Sequence, residues 1–253
     1  RLFDRQGSRI SLTEAGKLLL EHCERILEDY KRLEYEMHLL HNEYTGGLKL
    51  GASTTVAQYV LPPLLASFIG KFPHVNLSLL NGNSREIEAA LQEHRIDLGF
   101  VEGVFRLPNI KYTTFLKDEL VAVVRTGSKL AIGEEITPEE LLHLPLVLRE
   151  RGSGTLDVFE RALQQHNIKL SSLQVLMYLG STESIKLFLE HTDCLGIVSI
   201  RSITRELYSG QLRVVEIKDM PMLRDFSFAQ PQGQESGLAQ VFMQFAMHYN
   251  NKL

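Results

Sequence analysis

A long apolar seam between residues 13 and 44 constrains this chain most strongly. The seam residues are separated alternately by four and three positions, and they are Leu19, Cys23, Ile26, Tyr30, Leu33, Met37, Leu40 and Tyr44. This alternation is the 3.5-residue period of a coiled coil. A continuous helix over this stretch would reach roughly 48 Å at about 1.5 Å per residue. We predict a dimerisation helix with contacts at Leu19, Ile26, Tyr30, Leu33, Met37 and Leu40; a helix lying on its own domain is the alternative.

Both ends of this helix are marked in the sequence. Ser11 and Glu14 have the spacing of a capping box, although Thr13 is an equally good cap. A glycine pair, Gly46 and Gly47, stops the helix, and short β-like runs follow. The sequence therefore predicts a helix over residues 13–45 that joins a small preceding segment to a different domain.

Composition limits the classes of protein that the chain can belong to. The 253 residues are 44% apolar and 23% charged, which suits one larger or two small globular domains. No apolar run approaches the length of a membrane span, and the polar, basic start does not resemble a signal peptide. Cys23 and Cys194 form neither a disulfide framework nor a metal site. We predict two buried free thiols and a cytoplasmic location.

The net charge of −4 is distributed unevenly. Residues 13–44 contain 8 acidic and 4 basic residues, so this helix alone carries −4. Residues 1–12 contain three arginines, and a small hairpin around Gly7 would place Arg5 and Arg9 near its tip. These two side chains are candidates for nucleic-acid contact; an ordinary polar turn is the alternative.

Beyond residue 46 the chain alternates between strand-like and helix-like segments. A first unit has strands at 48–51, 75–80 and 97–101, with a helix-like stretch broken at Pro62 and Pro63 and a helix that Ser84 caps and that reaches about His94. This βαβαβ order predicts a parallel sheet with right-handed crossovers. A second unit has strands at 120–124, 145–148, 173–178, 195–200 and 212–217, with helices at 156–165, 181–191 and 201–209. A strand at 224–228 then returns, and a helix at 238–249 follows.

These segments predict an α/β fold of two lobes joined by two crossings. The crossings lie near residues 117–119 and 221–225. Lobe I takes residues 46–118 and 224–253, and lobe II takes residues 119–223. A ligand is expected in the cleft between the lobes.

Ligands of open α/β sheets bind at the carboxyl ends of the strands, near helix N-termini. Three consecutive hydroxyl residues, 53–55, follow the first strand, and the loop 149–155 offers hydroxyls and glycines before a helix. Arg149 or Arg151 could pair there with a carboxylate or a sulfate. Plain N-capping, which needs one hydroxyl, is the alternative. The cluster that begins at Ser181 is interpreted as a helix cap.

Several segments, in order, resemble the LysR-type transcriptional regulators. Leu2-Phe3-Asp4-Arg5 and Leu12-Thr13-Glu14-Ala15-Gly16 resemble the end of the family's winged helix-turn-helix and the start of its linker helix. Tyr59-Val60-Leu61-Pro62-Pro63, Lys71-Phe72-Pro73 and Ile96-Asp97-Leu98-Gly99-Phe100 resemble the opening of its effector-binding domain. The resemblance covers the whole chain. The helix-turn-helix proper should precede residue 1 and is absent, so this chain could not read a DNA major groove alone.

The resemblance implies a two-lobed domain like the type 2 periplasmic-binding proteins, with residues 1–12 as a remnant of the wing. It implies a homodimer or homotetramer that binds promoter DNA through the full-length protein, with Arg5 and Arg9 in the wing. The effector would be a small polar, anionic or amino-acid-like metabolite, and no cofactor, metal, catalytic residue or membrane partner is expected. Effector contacts carried over from the family are Ser53, Thr54, Thr55, Glu102, Ser153 and Thr155. Glu102 would repel an anion unless an arginine or a protonated state offsets its charge.

Two other classes of protein remain as alternatives. A solute-binding protein of a transport system has a similar two-lobed fold, but the missing signal peptide and the heptad seam count against it. A small-molecule enzyme is opposed by the absence of phosphate-cradling, dinucleotide-binding, zinc-protease and nucleophile-elbow motifs.

Overall fold

The computed structural model describes residues 1–6, 9–41, 44–103, 106–130, 133–233 and 237–250. The chain divides into two compact units, Arg1–Thr45 and Gly46–Leu253. The division falls at the glycine pair where the sequence predicts a change of domain. Each unit has its own architecture.

The first unit is a β-hairpin followed by one helix. β1 (Phe3–Gln6) pairs antiparallel with β2 (Arg9–Leu12), which confirms the predicted hairpin. α1 (Glu14–His41) has 28 residues. Oγ1 of Thr13 accepts a hydrogen bond from the backbone N–H of Gly16 at 3.0 Å, so Thr13 rather than Ser11 caps the helix. The side chains of Arg5 and Arg9 lie outside the described part of the chain.

The apolar seam of α1 is largely exposed in the single chain. Ile26, Leu33 and Met37 are exposed by 66%, 56% and 53%. The prediction that Cys23 is buried is wrong for the single chain, where this thiol is exposed with the rest of the seam. Leu40 has a side chain outside the described residues, and Tyr44 lies beyond the described end of the helix at His41.

Lobe I of the second unit follows the predicted βαβαβ pattern. Its parallel strands are β3 (Gly46–Ser53), β4 (Val75–Gly82) and β5 (Leu98–Glu102), in the order β4-β3-β5. Its helices are α2 (Thr54–Tyr59), α3 (Leu61–Lys71) and α4 (Ser84–Gln92). The predicted break lies at Val60, just before the two prolines, because proline is tolerated in the first turn of a helix.

Two long antiparallel strands join the lobes. β6 (Ile110–Arg125) runs alongside β12 (Met222–Pro231), from Leu120 opposite Met222 to Ile110 opposite Pro231. The sequence predicts only residues 120–124 of β6. Of the preceding residues 111–119, only Phe115 and Asp118 are buried, so this part lacks the continuous apolar run of a fully buried strand.

Lobe II is built on the continuation of β6. Its other strands are β7 (Glu135–Ile136), β8 (Pro145–Arg149), β9 (Gln174–Leu179), β10 (Leu195–Ser199) and β11 (Leu212–Ile217). Its α-helices are α5 (Gly154–Gln165), α6 (Thr182–His191) and α7 (Thr204–Ser209), with 3-10 turns at Glu139–His143, Leu170–Ser172 and Ile200–Ser202. β10, β8 and β9 are parallel, while β10 and β11 both pair antiparallel with β6.

The cores of the second unit are apolar and aromatic. α8 (Leu238–Asn250) packs on α3 in lobe I, where the rings of Phe68 and Phe242 are 4.7 Å apart. In lobe II, Cys194 is buried as predicted, and burial raises the pKa of its thiol to about 11. None of the described helices is long and apolar enough to cross a membrane.

Candidate effector site

The strands of lobe I end on a group of buried polar residues. Ser53 ends β3, Thr54 and Thr55 begin α2, and Glu102 ends β5; all four are at most 5% exposed. Oγ1 of Thr54 donates to the carbonyl of Gly82 at 3.2 Å. Oγ1 of Thr55 donates to Oε1 of Glu102 at 3.3 Å. The topology therefore brings together the polar residues that the sequence places after two separate strands.

Arg149 of lobe II reaches the start of α2 in lobe I. The residue ends β8 and is 1% exposed. Its Nε and Nη2 donate to the two carboxylate oxygens of Glu150 at 2.8 and 3.0 Å. Nη2 also lies 3.4 Å from Oγ1 of Thr54 and 3.4 Å from the carbonyl of Gly180, and donates to both. The two bonds to Glu150 thus fix the guanidinium group of Arg149 in an orientation in which its Nη2 faces Thr54.

Arg224 connects both lobes to the crossing strands. Its side chain, on β12, is completely buried. Nε donates to Oδ2 of Asp118 on β6 at 2.7 Å, and Nη1 donates to Oγ1 of Thr155 on α5 at 3.0 Å. Nη1 also lies 3.0 Å from Oε2 of Glu102, an ion pair without the direction of a hydrogen bond. Arg224 is therefore the arginine that offsets the charge of Glu102.

We call the group Ser53, Thr54, Thr55, Glu102, Arg149, Thr155 and Arg224 the interlobe site. Four of its buried atoms have no hydrogen-bond partner within the described ranges: Ser53 Oγ, Glu102 Oε2, Arg149 Nη1 and Arg224 Nη2. Buried polar groups in proteins are normally paired, and leaving one unpaired costs about 1–3 kcal/mol. Two guanidinium groups and a hydroxyl with unused donors are a suitable set for binding an anion.

The two lobes approach each other closely at this site. A Cβ atom on Gly154, the first residue of α5, would overlap the backbone carbonyl of Glu102. Gly103 has a φ of 116°, and a Cβ there would lie 3.1 Å from the Cα of Gly154. Glycine at both positions therefore permits a backbone contact between the lobes that a side chain would block.

A second contact between the lobes lies at the other end of α2. The hydroxyl of Tyr59 donates to Glu183 on α6, and the ammonium of Lys186 lies 5.2 Å from the centre of the Tyr59 ring. Lys186 also forms ion pairs with Glu183 at 2.7 Å and with Glu206 at 2.8 Å. Burial and the bond to Glu183 raise the pKa of Tyr59, so the phenol stays protonated and keeps donating. The six-residue α2 is thus held at both ends by lobe II.

Comparisons with known proteins identify the family. The family description "LysR substrate binding domain" matches residues 41–250. The chain belongs to the LysR family.

Named relatives agree with this assignment. The HTH-type transcriptional regulator YeiE of Escherichia coli K12 is 34% identical over 217 residues, which are 86% of this chain and 71% of YeiE. The RuBisCO operon transcriptional regulator of Acidithiobacillus ferrooxidans is 29% identical, over 96% of this chain and 78% of that protein. The LysR family consists of transcriptional regulators with an effector-binding domain, and this decides against the solute-binding alternative.

Solved structures support the two-lobed fold. The regulatory domain of CcmR from Synechocystis PCC6803, solved in complex with 2-PG, is similar with a TM-score of 0.74 and 27% identity. The similarity covers 83% of this chain and 99% of the CcmR domain. The predicted α/β fold with a two-lobed, type 2 periplasmic-binding-protein-like domain is confirmed.

The side chains of the six predicted effector contacts differ in their hydrogen-bond partners. Thr55 and Thr155 are hydrogen-bonded to Glu102 and Arg224. Ser153 is 1% exposed, and its Oγ accepts from the backbone N–H of Leu156 as the cap of α5. Thr54 accepts from Arg149, and Ser53, the residue before it, has a hydroxyl that no described group binds.

Two further predictions concern residues around the interlobe site. Ser181 caps α6, as interpreted from the sequence, because its Oγ accepts from the backbone N–H of Ser184 at 3.1 Å. Of the two candidate arginines, Arg149 points inward and Arg151 is exposed. Sequence reasoning missed Arg224 and Asp118. The only local signal was their position at the two predicted crossings between the lobes.

Proposed function

We propose that this LysR regulator binds a small anionic metabolite at the interlobe site. The observation that carries the proposal is the pair of buried donors on Arg149 Nη1 and Ser53 Oγ, neither of which has a partner among the described residues. An anion that accepted from both would satisfy the two donors at once. The complex of the similar CcmR domain with 2-PG supports a ligand-binding role for this fold.

Effector binding would act by favouring one arrangement of the lobes. Arg149 belongs to lobe II, whereas Ser53 belongs to lobe I, so an anion held by both binds more tightly when the lobes are together. A ligand shifts an equilibrium only through such a difference in affinity between the two states. In the proposed mechanism, this shift changes the placement of DNA-binding heads on promoter DNA. The protein acts in the cytoplasm and catalyses no reaction.

The experiment is thermal unfolding of the chain against a panel of small anions, amino acids and sulfur metabolites. A ligand at 100 times its dissociation constant stabilises the folded state by about 2.7 kcal/mol. We expect the midpoint of unfolding to rise by roughly 5–10 °C for a domain of this size. A flat response to the whole panel would contradict the proposal.

Thr54→Val tests whether a compound that raises the midpoint of unfolding binds at the interlobe site. The variant keeps the shape of the side chain but removes the hydroxyl that meets Arg149. We expect it to weaken binding by about tenfold, the effect of one hydrogen bond to a charged group. Thr113→Val on β6 makes the same chemical change in a half-buried residue away from the site and serves as the control. Equal effects of the two variants would place the ligand elsewhere.

The proposed regulator is a homodimer, or a tetramer built from such dimers, joined through α1. The support is the exposed apolar row of α1 with coiled-coil spacing. We expect the double variant Ile26→Asp, Leu33→Asp to raise the dissociation constant of the dimer at least tenfold, because it puts charges into the seam. Light scattering at low micromolar concentration measures the molar mass. Lys17→Asp is the control, since Lys17 lies outside the seam and its side chain is 63% exposed. An unchanged molar mass for the double variant would contradict pairing through this seam.

A further inference from the structure

Glu102 is an unusual residue to find in a site for an anion. It is 4% exposed, and its Oε1 accepts one hydrogen bond, from Thr55. Its Oε2 receives no directed hydrogen bond from the described residues, although the guanidinium of Arg224 lies 3.0 Å away. Each carboxylate oxygen can accept two hydrogen bonds. Glu102 therefore retains acceptor capacity that a ligand with a donor could use.

The position of Glu102 places this acceptor close to the anion-binding donors. Thr54 contacts Arg149 and the next residue, Thr55, contacts Glu102. The guanidinium of Arg149 and the carboxylate of Glu102 therefore flank two consecutive residues at the start of α2. The two charged groups thus contact neighbouring side chains of lobe I.

The charges around the site disfavour a ligand that only accepts hydrogen bonds. The buried positive groups are Arg149 and Arg224, and the negative groups that pair with them are Glu102, Asp118 and Glu150. Arg201, whose side chain is 42% exposed, also pairs with Asp118 at 3.7 Å. With Arg201 included, the formal charges of these groups sum to zero, so the site has no excess of positive charge. An oxygen without a proton would face Oε2 of Glu102 with like charge, whereas an O–H group would donate to it.

We propose that Glu102 is a specificity-determining residue, which makes the interlobe site select a small oxyanion that bears an O–H group. The charged oxygens of this ligand accept from Arg149 and Ser53, and its O–H donates to Glu102. This inference rests on the proposed anion site and adds the chemical class of the ligand.

Phosphate and sulfate test the inference directly, because they share size and tetrahedral shape. Near neutral pH phosphate keeps at least one O–H group and sulfate has none. Titration calorimetry of the whole chain is expected to show phosphate binding at least about 30-fold more tightly than sulfate, which corresponds to about 2 kcal/mol. Methylphosphonate and methanesulfonate at pH 6 form a second matched pair, with the same expected order.

Glu102→Gln assigns the selectivity to this side chain. The amide can donate to an oxygen that lacks a proton, so we expect the affinity for sulfate to rise about tenfold and the preference for phosphate to fall below about threefold. Glu93→Gln makes the same change in an exposed residue of lobe I and should retain the wild-type preference. The preference of the wild-type chain is informative even if Glu102→Gln does not fold.

Three results would overturn the inference: sulfate binding as tightly as phosphate, an equal change for both anions in Glu102→Gln, or no binding of either anion to the wild-type chain. The proposed anion site is tested separately by the metabolite panel and Thr54→Val. A panel compound that binds at Thr54 without an O–H group would leave the site in place and remove only the selectivity assigned to Glu102.

Discussion

Arg224→Met is expected to lower the free energy of unfolding by about 3–5 kcal/mol. The variant keeps most of the side-chain volume, so the loss reports the charge rather than a cavity. Without the guanidinium, the carboxylates of Glu102 and Asp118 remain buried, with side-chain exposures of 1% and 0%. An uncompensated buried charge is among the most destabilising features a point mutation can create. Equilibrium unfolding in urea measures the difference.

Arg201→Met is the matched control for this prediction. Arg201 also pairs with Asp118, at 3.7 Å, but its side chain is 42% exposed. Exposed ion pairs contribute about 0–1 kcal/mol, so the control should change stability by no more than that. Similar losses in the two variants would mean that Asp118, rather than the buried position of Arg224, determines the cost.

The sequence predicts the elements of lobe I well, because their signals are local. Each strand is a short apolar run, and each helix has a cap or an amphipathic face within a few residues. The predicted cap of α4, Ser84, is wrong by one residue, because Asn83 accepts from the N–H of Glu86 in a capping box directly before α4. The place of Ser53 to Thr55 and Glu102 at one edge of the sheet follows from the parallel order alone.

The Arg224 network could not be predicted in the same way. Arg224 and Asp118 are 106 residues apart, and Arg224 and Thr155 are 69 residues apart. Their meeting depends on the register between β6 and β12, in which Arg224 lies opposite Asp118. Periodicity gives the existence of a strand but not its partner or its register. For this reason, Arg224 could not be identified from the sequence as the arginine that offsets the charge of Glu102.

The two ends of α2 link the interlobe site to the second contact between the lobes. The first residue of α2, Thr54, meets Arg149, and its last residue, Tyr59, meets Glu183. Both partners belong to lobe II, whereas α2 follows directly from the central strand of lobe I. In the proposed mechanism, a ligand that strengthens the first contact also favours the second, because both contacts join lobe I to lobe II.

Arg149→Met is expected to weaken the binding of inorganic phosphate by about 100-fold, or about 2.7 kcal/mol. The guanidinium donates from Nε to Glu150 and from Nη2 to Thr54 at the same time. This requires the several donors in one plane that only an arginine side chain has. Arg149→Lys keeps the charge and should still lose at least about tenfold, because an ammonium cannot serve both directions. Titration calorimetry measures each affinity.

Arg151→Met separates direct contact from long-range charge in this experiment. Arg151 lies two residues from Arg149 and carries the same charge, but it is exposed to solvent. A general attraction by positive charge at the mouth of the site would be weakened comparably in both variants, and it would be reduced in both by added salt. Direct binding predicts a loss confined to the Arg149 variants and little change for Arg151→Met. The ratio of the two losses therefore decides whether the buried donor on Arg149 Nη1 contacts the anion or only attracts it from a distance.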